Sequence, residues 1–141
     1  LIARFVLPHS FVWPVRVYWE DTDAGGVVYY ANYLKFMERA RTEWLRSFGL
    51  EQGPLKDEHD LMFVILDTEA HYKSPAKYGD LLQVTCLLAE HTRTSITFAQ
   101  DIYRSTLAGE LLVQGKSRAA CVSATTLKPQ RIPATLLKEF S

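Results

Sequence analysis

Only two of the 141 residues are cysteine, and sixteen basic side chains balance sixteen acidic ones to leave no formal net charge. Cys86 and Cys121 sit far apart in apolar, strand-like stretches with no C-x-x-C or Cys/His ligand spacing, which excludes a disulfide framework or a zinc site and fits a reducing, cytoplasmic setting. The zero balance provides no overall field for nucleic acid or for an anionic membrane, so an anionic ligand has to be caught locally. Long apolar runs are missing too, which argues against membrane insertion. The N-terminal LIARFVLPHSFVWP is interrupted by Pro8 and Pro14 and does not read as a signal peptide. G-x-S-x-G, P-loop, G-x-G-x-x-G, H-E-x-x-H and EF-hand patterns are all absent, removing sequence support for serine hydrolase, nucleotide-binding and zinc-protease chemistry. His9, His59, His71 and His91 are scattered, so neither a metal nor another cofactor is expected.

What is there reads as one domain, residues 1–141, with 1–12 expected to be a loosely ordered lead-in; the length lies within the ~100–200 residues of a typical domain. Val15, Val17 and Trp19 alternate with Arg16, Tyr18 and Glu20, the period of a half-buried strand. From Ala31 to Phe48 apolar side chains at Tyr33, Leu34, Met37, Ala40, Trp44, Leu45 and Phe48, with the stem of Arg41, follow helical spacing, and Gly49 marks the stop. That helix is a rod of about 27 Å and needs a sheet to lie on. Glu51 to Asp60, with Gly53 and Pro54, reads as a loop holding a single helical turn at most. Strands are expected at 61–72, 81–91, 95–103 and 111–122, separated by KSPAKYGD, HTRT and STLAG, and a short amphipathic segment at 134–140 closes the chain. One helix after the first strand, then a run of antiparallel strands, gives an α+β domain in which a curved sheet wraps the helix.

The chemistry concentrates in residues 18–33, YWEDTDAGGVVYYANY. Gly25 and Gly26 permit a close backbone approach that a Cβ would forbid, freeing N–H groups to face a ligand. The chain then enters the long helix, whose first N–H groups lack intrahelical acceptors and carry partial positive charge, a place for an oxyanion. Asp23 stands just ahead and supplies a carboxylate, so one short loop offers both halves of an acyl-transfer site. Tyr29, Tyr30 and Tyr33 suit a wall that shields an acyl group from water. The same residues also fit a plain turn, with Asp21 and Asp23 as loop carboxylates, Asn32 as a helix cap and the tyrosines as core.

The string VRVYWEDTDAGGVVYYANYLKFMERARTEWL, continued by YKSPAKYGDLL and RTSITFAQ, resembles the 4-hydroxybenzoyl-CoA thioesterase-like hotdog proteins, and within them the YbgC-type acyl-CoA thioesterases associated with the Tol-Pal system. The resemblance runs from about Val15 to Leu127. It implies a hotdog fold and hydrolysis of an acyl-CoA thioester to a carboxylic acid and free CoA, with Asp23 as nucleophile or general base. It places Asp21 in a structural role and the carbonyl-polarising N–H on Tyr30. Many YbgC-type members carry histidine at that position; with Tyr30 the backbone donor survives and imidazole proton transfer does not. Arg93, in the HTRTS turn, falls where the family's CoA-contacting cations lie, with Lys73 and Lys77 as further CoA-binding candidates. The resemblance also implies a homo-oligomer, a dimer that pairs further into a tetramer, and admits an acyl carrier protein as partner. Two rivals stand beside it: a hotdog hydratase or dehydratase, disfavoured because no histidine lies between His9 and His59, and a non-catalytic module binding acyl carrier protein or envelope-complex partners, disfavoured by the retained D-x-D-x-G-G loop.

Overall fold

The computed structural model describes residues 11–138, apart from the side chain of Leu136. Strand β1 (Phe11–Arg16) leads through a 3-10 turn (Trp19–Asp21) to helix α1 (Asn32–Arg46) and helix α2 (Gln52–His59). Strands β2 (Leu61–Tyr72), β3 (Leu81–His91), β4 (Ser95–Arg104) and β5 (Leu111–Ser123) follow, and α3 (Ala134–Lys138) ends the described chain. The five strands form one antiparallel sheet in the order β1-β3-β4-β5-β2. The expected helix-on-sheet architecture is therefore present, but only β3, β4 and β5 are consecutive neighbours. β2 joins on the far side of β5, so β1 and β2 are the two edges. Alternation within a strand says which face is buried and nothing about which strand lies beside which.

α1 forms because its apolar residues recur every three or four positions: Tyr33, Phe36, Met37, Ala40, Trp44 and Leu45 are all buried. Phe36 is fully buried although the sequence reading left it off the apolar stripe, while Leu34, which was placed on it, is 40% exposed. Burial of a side chain such as Phe36 stabilises by about 1.5–3 kcal/mol. The helix stops at Gly49, whose φ of +78° suits glycine, with Gly49 N–H donating to the Arg46 carbonyl at 2.9 Å and Leu50 N–H to that of Leu45 at 3.3 Å. Its approach to the sheet is set by Gly115 on β5, where a Cβ would stand 2.5 Å from Met37 Cε and 3.3 Å from the Gln100 carbonyl oxygen. Gln100, buried on β4, ties the layers together: its amide donates to the Met37 carbonyl at 3.0 Å and the Thr85 carbonyl at 3.3 Å and accepts from Arg41 at 2.9 Å. Cys86 and Cys121 are free and buried, and burial pushes both thiols up.

Three local differences from the sequence reading have physical causes. The first strand ends at Arg16 instead of continuing to Trp19, because Val17 exchanges backbone bonds with the 79–80 turn: Val17 N–H donates to the Asp80 carbonyl, and Gly79 N–H to that of Val17. Trp19 is thereby turned outward and left 77% exposed. Residues 52–59 form a true helix, since Pro54 lies in the first turn, where its missing N–H has no intrahelical acceptor to lose, and Leu55 is buried. In β2, Ile65 faces Ala119 while Asp67 faces Arg118, so Leu66 is an extra residue forming a bulge. Residues 1–10 and 139–141, parts of the expected lead-in and closing segment, lie outside the described residues.

Asp60, in the left-handed conformation at φ 54°, closes α2 and holds the end of β5. Its carboxylate accepts Ser123 Oγ at 2.6 Å, Thr125 Oγ1 at 2.7 Å and Thr125 N–H at 3.0 Å, and these bonds hold it below the usual aspartate range. A depressed folded-state pKa means that the ionised carboxylate adds stability above the ordinary value near 4, and that this is lost as pH falls through the folded-state value. Asp60→Asn should thus melt below the parent at pH 7, and the gap should shrink as pH drops below about 4. A gap that stays constant from pH 7 to pH 3 would show the ionised form contributes nothing.

Candidate active site

After the 3-10 turn the chain reverses sharply. Thr22 bridges Val28 in antiparallel fashion, Asp23 N–H donates to the Val27 carbonyl at 2.9 Å, and Gly26 N–H donates to the Asp23 carbonyl at 3.0 Å. Gly26 has φ +79°, a conformation that side chains resist, and a Cβ on Gly25 would press to 3.1 Å from Asp23 Oδ1. Gly25 N–H instead donates to that oxygen at 2.8 Å. Asp23 is exposed at the tip, with Oδ2 making no hydrogen bond among the described residues. The glycines were expected to free their N–H groups for a ligand; both donate to Asp23 itself, so they build the turn and do not supply the oxyanion donor.

That leaves Tyr30. Its N–H has no acceptor among the described residues, and it lies two positions before the first residue of α1, close to the positive end of the helix. Its carbonyl accepts the Tyr72 hydroxyl at 3.3 Å, and its ring meets those of Tyr29 at 5.0 Å and Tyr72 at 6.2 Å. Asp21, by contrast, is buried: its carboxylate accepts Tyr18 N–H at 2.8 Å, and its carbonyl accepts Tyr29 N–H and the Asn32 side-chain amide, each at 2.9 Å. Asn32 does not cap α1, whose cap position is Ala31; its side chain reaches back to fasten the loop to the helix.

A second loop, residues 73–80, sits against the first. Ala76, fully buried, donates its N–H to Tyr33 Oη at 3.0 Å and accepts Val28 N–H at 2.9 Å. Arg104, at the end of β4, clamps this loop through an ion pair with Asp80, a 2.8 Å bond to the Pro75 carbonyl and a 3.3 Å contact with Glu110. Burial raises the Tyr33 phenol, partly offset by the Ala76 bond, and burial with the neighbouring Tyr30 raises Tyr72, so both stay neutral at physiological pH. Tyr33 is expected at the site as an acyl-shielding ring, but its hydroxyl bond to Ala76 is not, nor are Tyr72 and Ala76 as parts of the site. Their trace in the sequence is the stretch YKSPAKYGDLL.

The cation candidates separate. Val27 bridges Lys77, in the same turn as Asp23, and Lys73 directly follows Tyr72. Arg93 lies beyond the opposite end of β3, a strand whose first residue adjoins the 73–80 loop and whose eleven residues span about 35 Å when extended. Its backbone carbonyl accepts Ile132 N–H. Arg93 and the Asp23 turn thus lie toward opposite ends of β3. A cavity of about 140 Å³ lined by Arg41, Trp44, Phe63 and Phe98 also lies away from Asp23, two to three turns along α1.

A family model described as the thioesterase-like superfamily matches residues 17–140. An acyl-CoA thioesterase YbgC of Haemophilus influenzae is 42% identical over 135 residues, 96% of this chain and 97% of that one. The chain belongs to the thioesterase-like superfamily and, within it, to the YbgC group. Among solved structures, a probable thioesterase from Bartonella henselae superposes with a TM-score of 0.82 at 31% identity, covering 88% of this chain and 99% of that one. A variant of 4-hydroxybenzoyl CoA thioesterase complexed with 4-hydroxybenzoyl CoA gives a TM-score of 0.86 at 21% identity, covering 94% and 99%, a likeness of fold alone. The fold is the hotdog expected from the sequence.

The Ala76 contact can be weighed against its neighbour. Tyr33→Phe leaves a buried N–H without an acceptor and should cost about 1–3 kcal/mol in denaturant unfolding, whereas Tyr72→Phe, losing a half-exposed bond, should cost well under about 1 kcal/mol. Equal losses would show that the Ala76 amide finds another partner.

Proposed function

We propose that this thioester hydrolase acts on acyl-CoA, with Asp23 as its catalytic carboxylate and the Tyr30 N–H as its oxyanion donor. The observation that carries the reading is that one carboxylate oxygen of Asp23, at the tip of the turn, and the N–H of Tyr30, two residues ahead of α1, are each without a partner among the described residues. The substrate class follows from the acyl-CoA thioesterase of Haemophilus influenzae, which matches across this same loop.

The thioester carbonyl oxygen accepts the Tyr30 N–H, which polarises the carbonyl carbon. Asp23 then acts in one of two ways. As general base it takes a proton from water while the water oxygen attacks that carbon; as nucleophile its own oxygen attacks, and the resulting anhydride is opened by water. Either way the C–S bond breaks as the tetrahedral oxyanion collapses, and the CoA thiolate leaves to be protonated. Donors aimed at the developing oxyanion contribute because they are already in place before the charge appears. No side-chain imidazole takes part.

The assembly reading rests on β2. It is an edge strand of twelve residues, exposed on both faces from Ile65 to Glu69, with Ile65 and Leu66 half-exposed. An apolar, unpaired edge of that length invites pairing with a second copy. In such a dimer Arg93 serves the partner's site, which reconciles its place in the fold with a CoA-binding role.

Asp23→Asn should lower thiol release from acyl-CoA by about 10²–10⁴-fold with unfolding unchanged, and Tyr30→Phe should retain most activity because its N–H is kept. An active Asp23→Asn beside an inactive Asp21→Asn would reverse the assignment. Arg93→Ala should raise KM with kcat nearly unchanged. If it acts across subunits, refolded mixtures of Arg93→Ala and Asp23→Asn chains should regain activity at low substrate that neither shows alone; no recovery would place Arg93 outside the CoA site.

A further inference from the structure

The peptide unit that carries the Tyr30 N–H also carries the Tyr29 carbonyl, and in a trans peptide these two groups point in opposite directions. Whatever holds that carbonyl therefore aims that N–H. The carbonyl accepts Asn32 N–H at 2.8 Å. At the other end of the same residue, Tyr29 N–H donates to the Asp21 carbonyl at 2.9 Å, and Asn32 Nδ2 donates to that oxygen as well, at 2.9 Å. Three hydrogen bonds thus close a ring that runs from Asn32 through Tyr29 to Asp21 and back to Asn32. Its anchor is fixed from inside, since Asp21 is buried, its N–H donates to the Tyr18 carbonyl at 3.0 Å and its carboxylate accepts Tyr18 N–H at 2.8 Å. Tyr72 is placed differently: its hydroxyl meets the Tyr30 carbonyl, which belongs to the next peptide unit.

Asparagine at a helix start ordinarily accepts an N–H of the first turn through its side-chain oxygen. Asn32 stands one place too late for that, with Ala31 at the cap position and no side chain capping α1. Its amide turns back toward the loop, and because a carbonyl oxygen only accepts, the end that meets Asp21 is the nitrogen. Of the ring's three links this is the one a side chain makes, so it is the one that residue type decides. We infer that Asn32 is a positioning residue for the oxyanion donor, its side-chain amide fixing the Tyr29–Tyr30 peptide so that the Tyr30 N–H faces the thioester carbonyl. It touches no reacting atom and acts through that peptide. The inference deepens the reading of Tyr30 as oxyanion donor and rests on it for what the N–H does. Such a donor works by being in place before the charge develops, and a displacement of about 1 Å is enough to cost roughly 10²-fold in rate.

Two measurements on the full chain test this: thiol release from acyl-CoA, and amide hydrogen exchange in protein labelled with ¹⁵N-tyrosine, whose seven tyrosines give a small set of signals. Asn32→Ala removes the donor without adding charge, and should lower kcat by about 10- to 100-fold with KM nearly unchanged, less than the ~10²–10³ expected for outright loss of a donor. Asn32→Asp keeps the size, cannot donate when ionised, and sets a negative charge near the developing oxyanion, so its kcat should fall below that of Asn32→Ala. In both variants the Tyr29 amide should exchange at least about 10-fold faster than in the parent, because the ring that protects it is open. This readout on Asn32→Asp survives even if Asn32→Ala does not fold. Parental kcat in Asn32→Ala overturns the inference and leaves the roles of Asp23 and Tyr30 standing, as does a loss confined to Asn32→Asp, which is then an effect of charge alone. A raised KM with unchanged kcat also overturns it, making Asn32 a substrate contact. If the parent itself releases no thiol, the acyl-CoA reading falls and exchange alone decides on Asn32: a faster Tyr29 amide in the variants supports its hold on the peptide, and an unchanged one overturns it.

Discussion

One small residue distant in sequence, Ala76, holds both the Asp23 turn and the start of α1 through its backbone amide and carbonyl. Its carbonyl takes the Val28 N–H from the arm leaving the Asp23 turn, and its N–H goes to the hydroxyl of Tyr33 in the first turn of α1. The turn that presents the carboxylate and the helix start that presents the Tyr30 N–H are thus referenced to a common point. Full burial makes these bonds matter, since an unpaired amide there has no water to turn to. Arg104 works one step further out, fixing the loop on which Ala76 rides by gripping Asp80 and the Pro75 carbonyl. The site is open to solvent but its geometry is set from inside.

Much of this was legible in the sequence wherever a local pattern carries the information. The limits of β2 and β3 match the expected spans, and those of β4 and β5 differ by one residue, because separators such as KSPAKYGD and STLAG end strands by backbone chemistry that needs no tertiary partner. α1 was legible from its period. What was not legible depends on partners distant in sequence. Trp19 looks like the inward member of an alternating strand until Val17 is seen bonding to residues 79 and 80. Phe36, by contrast, sits at i+3 from Tyr33 and i−4 from Ala40, so its inward place is already in the helical period. The glycines' N–H groups seemed free because a turn's acceptors, here both on Asp23, cannot be assigned from residue type. Arg93 sits in the right motif, yet the length of β3 separates it from the loop it was meant to serve.

The surface around Asp23 is aromatic to a degree that a solitary, inert loop does not need. Tyr29, Tyr30, Trp19 and Tyr78 are exposed, and the cations Arg16, Lys73 and Lys77 come from two segments, the end of β1 and the 73–80 loop. A chain with zero net charge thereby still gathers three cations on two neighbouring segments, joined where Arg16 donates to the Gly79 carbonyl. Composition averages such a grouping away.

The extra residue in β2 changes the parity of the strand. Up to the bulge, odd-numbered residues look toward the helix: Phe63 faces Cys121 and Ile65 faces Ala119. Beyond it, even-numbered residues do, with Thr68 opposite Ser117, Ala70 opposite Gly115 and Tyr72 opposite Val113. Without Leu66 as an unpaired step, His71 would occupy the inward place that Tyr72 now holds, and the phenol that touches Tyr30 and Tyr33 would point to the outer face of the sheet. The identity of the side chain beside the oxyanion donor is therefore decided six residues away, by a count rather than by a contact.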